Sequence, residues 1–161
     1  MVLAEDLSNF SIFQYITEQE KQIIATYLKR KEYEADERVF SYGETGGKLY
    51  LVADGELMIT RMLEEGKEHI LGTLHKHQYF GGISVIDGGK HSASIKTTKE
   101  TVLLTLTRAN LDTIALENPA LGNKLLIHMI HSLANFLRTM DEKFIEALKF
   151  LSSGSEKYGG L

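Results

Sequence analysis

From residue 38 to residue 107 the chain is written in short apolar runs, "KLYLVA", "ELMIT", "HILGTL", "SASIKT" and "TVLLTLT", separated by turn residues. Runs of this length suit strands, and many of them at regular spacing predict a sandwich or jelly-roll barrel. Asp54-Gly55 stands between the first two runs and is a strong signal for a tight hairpin. "LEEGKE" and "IDGGKH" supply the next two turns. No helical pattern interrupts the strands before the loop that begins at Phe80.

Helical patterns flank this region. "FSIFQYITEQEKQIIATYLKR" carries a capping-box pair, Thr17 and Glu20, ahead of Ile23, Ile24, Tyr27 and Leu28 at helical spacing. The strands are expected to begin after "KRKEYEADE". Beyond them, "RANLDTIALENP" offers Asn110 as an N-cap, and Pro119 suits the first turn of the next helix. The run from residue 120 to 151 then contains no breaker. In it Leu126, Ile130, Leu133, Leu137, Met140, Phe144, Ala147 and Leu151 alternate at four- and three-residue steps, a heptad seam. Its first two turns are expected to lie on the chain's own barrel. The rest exceeds what one barrel can cover, so Leu126, Ile130, Leu133, Leu137, Met140 and Phe144 are predicted to form a homodimer interface.

With 161 residues the chain is expected to be one domain, 1–151, whose long helix covers about 119–151, followed by a flexible Gly/Ser-rich tail at 152–161. The absence of cysteine excludes disulfides, thiolate metal sites and iron–sulfur clusters. A net charge of −4 without a basic block argues against a nucleic-acid surface. No apolar run reaches the ~20 residues that span a bilayer, and "MVLAEDLSNF" lacks the basic start of a signal peptide. The expectation is a soluble, cytoplasmic protein with no nucleic-acid or membrane partner.

Two stretches carry a resemblance. "DERVFSYGETGGKLYLVADGELMI" has turn glycines at Gly43 and Gly55, and "FGGISVIDGGKHSASI" joins a short apolar helical turn to a small-residue loop. Together with the order of elements from Leu7 to Met140, they resemble the cyclic-nucleotide-binding domain family. The resemblance implies a mainly β fold with flanking helices: a jelly-roll-like β-roll (double-stranded β-helix), an N-terminal helix and a long C-terminal helix. It also implies that the second stretch is the family's phosphate-binding cassette, with Phe80, Gly81, Gly82, Ile83, Ser84, His91, Ser92 and Ala93 as ligand-binding positions.

The family's cassette holds the ribose hydroxyl with a glutamate and the cyclic phosphate with an arginine. This chain has Gly82 and His91 at those places. Each charge-assisted hydrogen bond contributes ~1.5–3 kcal/mol, so losing both costs roughly 3–6 kcal/mol, or about two to four orders of magnitude in affinity. The N–H groups of Ile83 and Ser84, the Ser92 hydroxyl and a protonated His91 leave a weak, pH-dependent anion site as one expectation. The other is that Gly82 only serves the backbone and His91 is a surface turn residue.

Rival chemistries have less support. His75 and His77 alternate as strand ligands would and resemble the histidine pair of metal-binding cupins, but where that resemblance implies a carboxylate this chain has Gly81 and Gly82, and the later His128 and His131 fall on the long helix. His69, His75, His77, Met58 and Met129 are conceivable haem ligands, and none stands in a haem-specific motif. No nucleophile elbow or Walker motif is present. The expectation is therefore no metal, no cofactor and no enzymatic activity. It is a regulatory module that senses a small anionic ligand, a cyclic nucleotide weakly or another molecule. Its signal passes through the C-terminal helix, with no DNA-binding module after it. The alternative is a ligand-independent dimerisation domain on the same frame.

Overall fold

The computed structural model describes residues 2–64 and 66–155. Helix α1 (Glu18–Tyr27) is followed by strands β1 (Lys29–Tyr33), β2 (Arg38–Phe40), β3 (Lys48–Asp54), β4 (Glu56–Glu64), β5 (Lys67–His75) and β6 (Tyr79–Phe80). After the short helix α2 (Gly82–Asp87) come β7 (Ser94–Thr97), β8 (Thr101–Thr107), α3 (Arg108–Glu117) and α4 (Pro119–Ser155). The strands form two four-stranded antiparallel sheets, ordered β1-β8-β3-β6 and β2-β7-β4-β5. A β-roll with flanking helices and a long C-terminal helix is thus the observed architecture.

β3 and β8 form a wall shared by two cores. Leu49, Leu51, Leu104 and Leu106 face a helical layer with Leu7, Phe10, Phe13, Ile24, Ile114, Leu121 and Leu125. The alternate residues Tyr50, Val52 and Leu103 face the roll interior with Tyr33, Phe40, Leu57 and Ile95. Because side chains alternate across a strand, a strand covered on both faces reads as a continuous apolar run. That explains "KLYLVA" and "TVLLTLT".

Several local expectations need correction. The N-terminal segment is not one helix: Ser11–Phe13 is a 3₁₀ turn, and α1 starts only after Thr17. The capping box itself forms, with Glu20 N–H donating to Thr17 Oγ1 and Thr17 N–H to Glu20. β1 lies inside the charged run "KRKEY", because it is a sheet edge pairing β8 and buries only Tyr33. Asp54-Gly55 does not close a hairpin: β3 and β4 belong to different sheets, so the dipeptide turns the chain from one sheet to the other. The hairpin is the next turn, between β4 and β5. Asn110 is not the N-cap of α3. Thr107 caps it, and the Asn110 side chain donates instead to the Tyr27 carbonyl at 2.8 Å.

α4 starts at Pro119 as expected and docks through Leu121, Leu125 and Met129, with Lys124 paired to Glu20 of α1 at 2.7 Å. Every residue from Asn135 to Ser152 is exposed. The helix runs to Ser155, so the flexible tail expected at 152–161 does not begin at 152, and the rest of it lies outside the described residues. No helix among the described residues is long and apolar enough to cross a membrane.

Gly55 holds φ +102°, and an added Cβ would meet the Thr101 Cα at 2.6 Å and the Glu100 carbonyl at 2.7 Å. Both are backbone atoms that cannot step aside. Gly55→Ala is expected to destabilise the fold by about 2–3 kcal/mol, measured as a lower urea midpoint. An unchanged midpoint would show that the corner between the sheets relaxes freely.

Candidate functional site

The loop from Phe80 to Ala93 is built around α2. Gly81 precedes it at φ +80°, where a Cβ would stand 2.4 Å from the Lys48 carbonyl, so glycine is required. Gly82 is different: a Cβ there would meet nothing within 4 Å. Ser84 is buried and its hydroxyl donates to the Gly81 carbonyl at 3.2 Å. Gly88, at φ +69°, ends the helix, its N–H donating to the Ser84 carbonyl.

Above this loop lies a cavity of ≈ 680 Å³. The roll contributes Phe40, Ile59, Arg61, Leu71, Leu74, Ile95 and the cassette residues Phe80, Gly81, Gly82, Ile83, Ser92 and Ala93. α4 contributes the opposite wall with Met129, Ser132, Leu133, Phe136, Met140 and Lys143. The volume falls in the range of small-molecule sites, and the lining is mostly apolar as such sites are. A smaller cavity of ≈ 270 Å³ adjoins it beside Ser11, His77, Gln78 and Tyr79.

Six of the eight expected ligand positions therefore line one cavity. Ser84 and His91 do not. His91 is neither a surface turn residue nor a cation facing the cavity. Its ring is only 7% exposed and stacks on Phe40, with centroids 3.6 Å apart and planes at 9°. Phe40 in turn contacts Tyr50 and Phe80, which stack on each other at 4.8 Å. Burial among these rings pushes the His91 pKa below its ordinary value, with Glu44 opposing, so the imidazole stays neutral at neutral pH. The same burial, with Tyr33 and Glu44 adding to it, pushes the Tyr50 hydroxyl up to about 12.

The expected dimer seam is divided. Leu126 packs against the core, and Leu133 and Met140 line the cavity. Ile130, Leu137 and Phe144 are exposed and sit seven residues apart. Among the cavity residues that the sequence did not single out, two carry charge, Arg61 and Lys143. Arg61 follows Leu57 and Ile59 at strand alternation, so a cation in an apolar register was the available signal. Lys143 follows Phe136 by two helical turns. The Arg61 guanidinium donates to the Ser92 carbonyl at 3.3 Å and lies 4.4 Å from the centre of the Tyr42 ring.

The histidine pair does not converge. His75 Nδ1 pairs with Glu56 at 3.2 Å, whereas His77 sits at φ +68° with its ring edge-on to Phe10. Among the described residues no group of three or more His, Asp or Glu could hold a metal ion. Of His69, His75, His77, Met58 and Met129, Met129 alone lines the larger cavity.

The model of the cyclic nucleotide-binding domain family matches residues 30–118. The cyclic AMP receptor protein of Thermus thermophilus is 33% identical over 97 residues, covering 60% of this chain and 45% of that protein. A cyclic nucleotide-binding domain from Methylobacillus flagellatus superposes with a TM-score of 0.79 at 22% identity, covering 90% and 82% of the two chains. The catabolite activator protein of Thermus thermophilus does so at 0.77 and 29% identity, covering 86% and 63%. This chain spans about half the length of the first relatives it matches in sequence.

His91 makes stability pH-dependent in a defined direction. Its folded pKa lies below the ordinary 6.5, so as pH falls through 6.5 the unfolded chain takes up the proton first. The contribution is full above 6.5 and is lost progressively below it. Melting temperature measured between pH 7.5 and 5 is expected to fall, and His91→Phe, which keeps the stack on Phe40, should flatten that fall. Equal slopes in both proteins would remove His91 as the cause.

Proposed function

The chain belongs to the cyclic nucleotide-binding domain family, and we propose that it is a regulatory domain that binds a small anionic ligand and signals through α4. One observation carries this reading: the cavity has the cassette on one wall and α4 on the other. A ligand that touches both walls favours helix positions in which both contacts are made, and shifts the population by that difference. The output is a change in α4, not a reaction, and we assign no enzymatic activity to the domain.

A cyclic nucleotide is a weak ligand on this reading. Gly82 offers no carboxylate to a ribose, and His91 is buried, neutral and away from the cavity. At Gly82 the frame has room for a side chain, since a Cβ there would meet nothing within 4 Å. The exposed apolar residues Ile130, Leu137 and Phe144 support a homodimer along α4. That face, together with the −4 net charge, favours a protein rather than a nucleic acid as the partner. The same face supports the second reading, a dimerisation domain indifferent to ligand, because Ile130, Leu137 and Phe144 are exposed and do not line the cavity.

Calorimetric titration with cyclic AMP and cyclic GMP is expected to give no binding below millimolar concentration. Gly82→Glu with His91→Arg, the arginine leaving the Phe40 stack to face the cavity, should tighten it by two to four orders of magnitude (about 3–6 kcal/mol). In that variant bound nucleotide should slow amide exchange in residues 129–143. Binding without such protection would refute transmission through α4. Light scattering should give a dimer for the wild type and a monomer for Leu137→Glu, with the melting temperature nearly unchanged. An unaltered mass would remove the seam.

A further inference from the structure

The cassette has lost its charged groups, yet the cavity is not uncharged. Arg61 enters it from β4 and Lys143 from α4, and among the described residues that line it there is no Asp or Glu. Neither cation is paired with a carboxylate among the described residues. Arg61 is also held in place, one N–H given to the Ser92 carbonyl and the guanidinium lying over Tyr42. A guanidinium has five N–H donors, so most remain for a ligand. Most of the remaining lining is apolar, Ile59, Leu71, Leu74, Ile83 and Phe136 among it.

From this arrangement we propose that the ligand is an amphiphilic organic anion, an apolar ring or chain with one acidic head group, held by Arg61 and Lys143 rather than by the cassette. The inference rests on the cavity being a ligand site, as argued above, and adds which residues hold the anion and what the remainder of the ligand must be. An apolar body gains by leaving water against apolar walls. Its acidic head group needs charge-assisted partners to enter a largely apolar cavity.

The placement of the two cations gives the anion a second role. One is fixed to the roll and the other rides on the helix, so in the empty cavity two like charges face across it and oppose approach of α4. An anion between them reverses the sign of that interaction and draws α4 toward the roll. A neutral ligand of the same shape fills the cavity without this effect.

Two fluorescent probes separate the terms: 1-anilinonaphthalene-8-sulfonate, and N-phenyl-1-naphthylamine, the same ring system without the sulfonate. The full chain is expected to bind one sulfonate per chain at least tenfold more tightly than the neutral amine. Arg61→Gln and Lys143→Gln should each weaken the sulfonate about five- to tenfold and leave the amine within twofold, which also certifies that the variants are folded. Arg61→Lys should recover most of the loss. Ala93→Trp, which fills the cavity, should abolish both, assigning the signal to the cavity and not to the apolar face of α4. Equal affinity for the two probes, or equal effects of the substitutions on both, would overturn the anion assignment while leaving the cavity a ligand site. Failure of either probe to enter, or indifference to Ala93→Trp, would overturn the cavity reading itself and this inference with it.

Discussion

Everything in this protein hangs on one wall, the pairing of β3 with β8. The two strands align Lys48 with Thr107 through Asp54 with Val102, and both faces of the pair are buried. One face holds the helical layer on which the first turns of α4 dock. The other closes the roll and carries Tyr50 into the aromatic cluster behind the cassette. Because side chains alternate strictly across a strand, a one-residue slip would exchange the two cores. The position of α4 over the cavity is thus fixed by the same register that shapes the cavity floor.

The same geometry accommodates Gly82 and His91 at the two places where the family resemblance implies a glutamate and an arginine. An arginine and a glutamate removed together leave no buried charge without a partner. At Gly82 an added Cβ would meet open space. His91 is absorbed into the fold, since its ring stacks on Phe40 and joins the chain of contacts through Tyr50 to Phe80. A neutral ring in an aromatic cluster stabilises the roll, whereas a charged one there would lack solvation. His91 is part of the core, and the cations that face the cavity come from β4 and α4.

The segments whose meaning is local read correctly from the chain. Thr17 and Glu20 form their capping box because both partners lie within one turn, and Pro119 begins α4 because its ring already has a helical φ. Motifs that need a partner from elsewhere misled. Asp54-Gly55 has the composition of a hairpin, but the strands on either side find better partners in different sheets, so the turn becomes a corner. Asn110 has the side chain of a cap and is used to bind the Tyr27 carbonyl across the helical layer. The charged β1 is a strand because β8 offers it an edge, not because of its own residues.

The sequence by itself determined the run of short strands between flanking helices, the long C-terminal helix and the resemblance of the loop at 80–95 to a cassette with Gly82 and His91 at its charged places. These follow from periodicity, turn chemistry and residue identity, which act over a few neighbouring positions. Only the tertiary structure decided which way His91 faces, that Arg61 and Lys143 share a cavity, and that the heptad seam splits between cavity and solvent. Residues 61 and 143 lie 82 positions apart, and nothing local relates them. Their meeting depends on how β4 curls over the roll and how α4 leaves the core after Met129. Such relations come from packing the whole chain at once, because burial and charge environment belong to a place in the fold rather than to a residue type.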